Sequence, residues 1–142
     1  METSYSGAGP HIIAFASPKG GVGKSTMCAC LAGTLAARGY PVTILDLDQN
    51  RTLEQWARRF PEVTSRIRVE GVQEASFIDR VRELFETGRG FILVDVAGAF
   101  QTTTIAAATL AHLTITPARL SAPDIIEAVK LNREIRKLGE KV

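Results

Sequence analysis

Cysteine, histidine and long apolar runs are all scarce in this chain, and each scarcity closes a route. Only two cysteines occur, Cys28 and Cys30, two positions apart in a segment that reads as helix. Such residues leave a helix on different sides, so the pair cannot share a metal. Both read as small buried or half-buried thiols in a reducing compartment. His11 and His112 lie far apart, lack any ligand pattern beside them, and are assigned no chemistry. No run is long and apolar enough to span a bilayer, and the polar, glycine-containing residues 1–10 are not a signal peptide. The expected location is therefore cytoplasmic. An excess of one charge is missing too: 17 Lys and Arg against 15 Asp and Glu leave +2, too little to demand a nucleic-acid partner.

What is present is a chain of 142 residues, 45% of them hydrophobic, enough for one domain with a real core. Residues 1–10 read as a disordered tail and 11–142 as the domain. Apolar strand-like runs at 12–16, 42–47, 66–69, 91–96 and 112–116 alternate with helical patterns at 25–38, 52–60, 76–85, 103–111 and 124–138. Gly39 stands where a helix C-cap belongs, with Pro41 behind it. Ser76 and Asp79 have the spacing that opens a capping box. Five strand–helix alternations predict an α/β fold, a parallel sheet covered by helices on both faces.

The first strand runs into Ser17-Pro18-Lys19-Gly20-Gly21-Val22-Gly23-Lys24-Ser25-Thr26. Strand, glycine loop and helix in this order make a phosphate cradle. Glycines let backbone N–H groups turn inward, and the helix start adds the positive end of its dipole. Residues 19–26 are thus the candidate cofactor-binding set, with Lys24 reaching the β and γ phosphates and Ser25 ligating Mg²⁺. The cofactors expected are ATP and Mg²⁺.

Three acids extend the site. Asp95 closes the run Phe91-Ile92-Leu93-Val94, and a carboxylate at a parallel strand's C-terminal end faces the ligand crevice. Mg²⁺ keeps several waters, so Asp95 would contact it through one of them. For Asp95 and the glycine loop to meet at one metal their strands must be neighbours, which favours the strand order 3-2-4-1-5. Asp46 and Asp48 end the second strand two residues apart, on one face. One acid there can orient the attacking water. Gly98 lies where a loop could offer its N–H to the γ-phosphate, or simply make a turn.

Proline at position 18 breaks the standard phosphate-loop pattern, and Lys19 heads the loop instead. This resembles the deviant Walker A motif of the ParA/MinD family of dimeric P-loop ATPases. Asp46-Leu47-Asp48-Gln49, the Asp95 strand end, and Thr116-Pro117 followed by Ser121-Ala122-Pro123-Asp124 extend the resemblance, the last to small plasmid-partition ParA proteins. Asp48-Gln49-Asn50-Arg51-Thr52-Leu53, with Trp56, is similar to Vir-type ATPases that promote T-DNA transfer. The resemblance implies catalytic roles for Lys19, Lys24 and Asp48: Lys19 crossing to the partner's nucleotide, Asp48 positioning water. Ser25, Asp46 and Asp95 would lie around the metal. It implies an ATP-sandwich homodimer that binds nonspecific DNA and positions plasmid, transferred DNA or protein cargo, with hydrolysis stimulated by a ParB-like adaptor. Family members usually continue with further parallel strands; this sequence stops at Val142 after its final helix, which reads either as a truncated product or fragment or as a reduced relative. A nucleotide-binding module without turnover, regulating a full-length relative, is the alternative.

Basic residues supply a weaker signal. Lys130, Arg133 and Lys137 form one stripe on the last helix, and Arg58–Arg59, Arg66–Arg68 and Arg80–Arg82 add to it. They read either as solvated faces, since Glu127 and Glu134 interleave, or as a phosphate-tracking patch completed by a dimer. The last helix has no aromatics and mixed charge, so it covers the sheet rather than lying in lipid.

Overall fold

The computed structural model describes residues 9–96 and 102–140. In chain order the elements are β1 (His11–Phe15), α1 (Lys24–Ala37), β2 (Val42–Asp46), α2 (Thr52–Arg59), α3 (Pro61–Thr64), β3 (Ile67–Gly71), a 3₁₀ turn at Glu74–Ser76, α4 (Phe77–Thr87), β4 (Phe91–Asp95), α5 (Thr102–Leu110), β5 (Leu113–Ile115) and α6 (Ala122–Gly139). The strands form one parallel sheet in the order β3-β2-β4-β1-β5. That is the order expected from bringing Asp95 beside the glycine loop.

Alternation along each strand explains why both faces are covered. Ile12, Ala14, Leu45, Ile92 and Val94 pack on one side against Phe77, Val81 and Leu84 of α4 and Ala107 of α5. Phe15, Val42, Ile44 and Leu93 face the other way, onto Cys28, Ala32 and Ala36 of α1 and Leu53 of α2. The α1 contacts recur every four residues, and their small side chains let the helix lie close to the sheet. Burial pushes the Cys28 thiol far up, with the nearby Asp95 carboxylate adding to the shift. Cys28 is therefore an inert packing group.

Two local expectations are corrected. Cys30 is exposed, because the position two residues beyond Cys28 points off the buried stripe of α1. Ser76 makes no capping bond: it has φ −101° and ψ −3°, whereas a capping residue needs an extended backbone. The chain enters α4 through the 3₁₀ turn, already helically wound. Gly39 ends α1 as expected, one residue past the C-cap Arg38, with φ 86° and its N–H donating to the Ala36 carbonyl at 3.0 Å. His11 and His112 are brought together across the sheet, ring centroids 5.4 Å apart, and His112 Nδ1 accepts from the Ile12 N–H at 2.9 Å.

No helix among the described residues is long and apolar enough to cross a membrane. Much of the basic surface is neutralised by neighbours. Lys130 pairs with Glu127, Lys137 with Glu134, Arg58 with Glu54, Arg82 with Asp79, and Arg80 with both Glu70 and Glu83.

Candidate nucleotide-binding site

The loop between β1 and α1 wraps the carboxyl end of the sheet, where parallel strands leave a crevice. Gly21 (φ 72°) and Gly23 (φ 91°) occupy the left-handed region that side-chain-bearing residues avoid. Gly23 also stands at the N-cap of α1, its carbonyl accepting from Met27 N–H at 2.9 Å. The first N–H groups of α1 are thereby left pointing out of the helix end. Lys19, Gly20, Gly21, Gly23, Lys24, Ser25, Thr26 and Asp48 line a cleft of about 200 Å³ above them.

Beneath the cleft, three side chains from two distant segments converge. The fully buried Asp95 carboxylate accepts from Lys24 Nζ on one oxygen and from Ser25 Oγ, at 2.6 Å, on the other. Register makes this possible, since Asp95 lies opposite Phe15 of β1 and Asp46 of β2. Lys24 is itself only 11% exposed. A buried carboxylate and a largely shielded ammonium tolerate one another where each would be costly alone.

The neighbouring acids divide their tasks differently from one another. Asp46 is fully buried, and its carboxylate accepts from the backbone N–H groups of Asp48, Leu53 and Glu54, each at 3.1 Å. It shapes the β2–α2 turn and holds the start of α2. Burial raises its carboxyl above the usual range, backbone bonds from Glu54 and Asp48 pull the other way, and the Asp95 charge adds to the rise. Arg51 completes this turn from a left-handed backbone (φ 51°), donating to the carbonyls of Asp46 and, at 2.9 Å, Val72. Asp48 accepts from Asn50 N–H at 3.0 Å and lies at the cleft wall. Gly98 falls outside the described residues.

Two contacts come from the β5–α6 segment, for which the sequence reading had no role. Lys19 Nζ donates to Asp124 Oδ1 at 2.6 Å, so within one chain the lysine heading the loop is tied to the start of α6. Lys19 holds the Asp124 carboxyl below its usual range, with smaller help from Ser121 and Arg119. Arg119 Nη2 donates to the Gly21 carbonyl at 2.7 Å. Asp124 closes one of the motif blocks already quoted, so its spacing was a signal; an arginine in a loop carries none.

These residues suit a nucleotide with Mg²⁺. A Cβ built at Gly20 or Gly23 meets nothing within 4 Å, so the loop borders open space that a phosphate can enter closely. Ser25 Oγ and the Asp95 carboxylate are hard oxygen donors lying together, the kind that Mg²⁺ takes alongside water and phosphate oxygens.

A family model described as the CobQ/CobB/MinD/ParA nucleotide binding domain matches residues 13–140. The chain belongs to this family.

Relatives within it agree. ParA of Rhizobium radiobacter is 33% identical over 113 residues, covering 80% of this chain and 50% of that protein. The virC1 protein of Rhizobium rhizogenes is 30% identical over 131 residues, covering 89% of this chain and 57% of its own. The chain thus spans about half the length of the curated relatives it matches. Among solved structures, a plasmid partition protein of Borrelia burgdorferi bound to AMPPNP shares the fold with a TM-score of 0.73 at 18% identity, over 92% of this chain and 71% of that one. The pNOB8 ParA bound to nonspecific DNA does so with a TM-score of 0.67 at 18% identity, over 88% and 59%.

Proposed function

We propose that this chain binds ATP with Mg²⁺ in the cleft and acts as a ParA-type ATPase. The ATP-bound form would be a sandwich homodimer that binds nonspecific DNA and positions plasmid, transferred DNA or protein cargo in the cytoplasm. The convergence of Lys24 and Ser25 on Asp95 beneath the glycine loop carries the reading.

Each residue's role follows from its place. The N–H groups of residues 20–26 hold the phosphates, assisted by the positive end of the α1 dipole. Lys24 leaves Asp95 for the β and γ phosphates, exchanging one anion for another in a site already largely shielded from water. Ser25, and Asp95 through a water, would hold Mg²⁺, which would supply positive charge to offset that of the phosphate oxygens. Asp46 acts from behind, since its carboxylate is occupied by backbone N–H groups. Asp48, at the cleft wall, orients the attacking water. Lys19 exchanges Asp124 for the partner subunit's nucleotide on dimerisation, a trans cation comparable to an arginine finger.

A binding module without turnover is the second reading, favoured by the Asp48 carboxylate being engaged by Asn50 N–H. Single-turnover hydrolysis of MgATP with and without DNA separates the two. Hydrolysis stimulated by DNA and by a ParB-like adaptor supports the ATPase; tight MgATP binding with no phosphate release supports the module. No MgATP binding refutes both.

A further inference from the structure

Three alternate carbonyls of the glycine loop are each held by a donor. Ser17 Oγ donates to the Lys19 carbonyl at 2.9 Å, Arg119 Nη2 to that of Gly21 at 2.7 Å, and Met27 N–H to that of Gly23 at 2.9 Å. A trans peptide is planar, with its C=O and N–H pointing in opposite directions. Each tethered carbonyl therefore sets the direction of the next residue's N–H, at Gly20, Val22 and Lys24 in turn. Two of the three tethers are local to the loop and its helix. Arg119 alone comes from elsewhere in the chain, 98 residues away.

Its position is suited to that task and not to touching a ligand. Arg119 is absent from the walls of the phosphate cleft, whereas the Gly21 it holds is one of them. Its guanidinium lies 3.4 Å from where a Cβ on Gly21 would be, and a side chain at Gly21 would crowd the contact. Gly21, at φ 72°, is a glycine in the left-handed region and has backbone freedom to lose on ordering.

We infer that Arg119 is a positioning residue for phosphate binding: by holding the Gly21 carbonyl it fixes the Gly21–Val22 peptide plane, and with it the crown of the glycine loop, before ligand arrives. The inference rests on the nucleotide-binding reading of the same site. Preorganisation of this kind raises affinity by removing the cost of ordering the loop on binding.

The test uses the whole chain carrying Arg119→Met, which keeps an apolar stem without a donor, and Arg119→Lys, which keeps a donor. MgADP and MgATP are titrated calorimetrically, and backbone order parameters of Gly21 and Val22 are measured by ¹⁵N relaxation in the nucleotide-free chain. Arg119→Met should weaken MgADP and MgATP by the same factor, roughly tenfold. The order parameters of Gly21 and Val22 should fall while the melting temperature holds, and Arg119→Lys should recover much of both effects. Parent-like affinity and order parameters in Arg119→Met would overturn the inference, as would a loss confined to MgATP, which would mean direct contact with the third phosphate. If the parent binds neither nucleotide, the proposed function fails, while the order parameters of Gly21 and Val22 still judge the tether.

Discussion

Replacing Asp95 by Asn should tighten the binding of ATP in the absence of Mg²⁺ while removing the gain that Mg²⁺ provides. In the ligand-free chain Lys24 is committed to Asp95, and the two are 11% and 0% exposed. A phosphate must take Lys24 from a carboxylate and then lie near that carboxylate's uncompensated charge. Unit charges about 4 Å apart interact with roughly 4 kcal/mol at an effective dielectric of 20. If a quarter to a half of this survives the exchange of one anion for another, Asp95→Asn gains about 1–2 kcal/mol, or roughly 5–30-fold in affinity. Asn keeps the volume and an oxygen for Ser25 Oγ, so the strand end should persist, as a thermal melt would verify. The assay is a titration of ATP in EDTA and again in excess Mg²⁺. Equal weakening under both conditions would refute the reasoning, since Asp95 would then be only a scaffold for Lys24 and Ser25.

Lys24→Ala should abolish MgATP binding and, by leaving Asp95 buried without its cation, lower stability by about 3–5 kcal/mol in urea unfolding; adding Asp95→Asn should restore stability but not binding. Asp48→Ala should spare MgATP affinity and slow single-turnover hydrolysis, and an equal loss of both would give Asp48 a structural or metal role. Lys19→Gln should bind MgATP as a monomer yet fail to dimerise, which light scattering with a slowly hydrolysed analogue would reveal. Glu70 is held below the usual carboxylate range chiefly by its two bonds from Arg80. Its contribution is therefore complete above the unfolded carboxylate value and disappears as pH falls through the lower folded one. Glu70→Gln should cost about 1 kcal/mol at neutral pH and flatten the acid side of the stability profile measured by urea titration.

The phosphate loop was legible because its requirements are local. Ten consecutive residues carry the glycines, the lysine and the hydroxyl, and the flanking apolar strand and helix pattern need no distant partner to be recognised. Strand order followed from one further condition, that Asp95 reach Ser25, and the observed sheet meets it. Short-range pattern also placed the helices, though it misread the entry to α4 at Ser76, where a 3₁₀ turn replaces the extended cap.

Tertiary structure decided which charged groups answer one another. Asp46 and Asp48 look alike at a strand end, yet the former is consumed by three backbone N–H groups and the latter reaches the cleft. Nothing local announces that Arg51 adopts a left-handed backbone, since arginine has no preference for it. Lys19 meets Asp124 and Gly21 meets Arg119 only because β5 lies beside β1, which brings the segment before α6 over the loop. Backbone propensity and apolar periodicity act over a few residues and are written along the chain. The partners of a buried or tethered charge depend on which strands become neighbours, and that is settled only when the sheet closes around them.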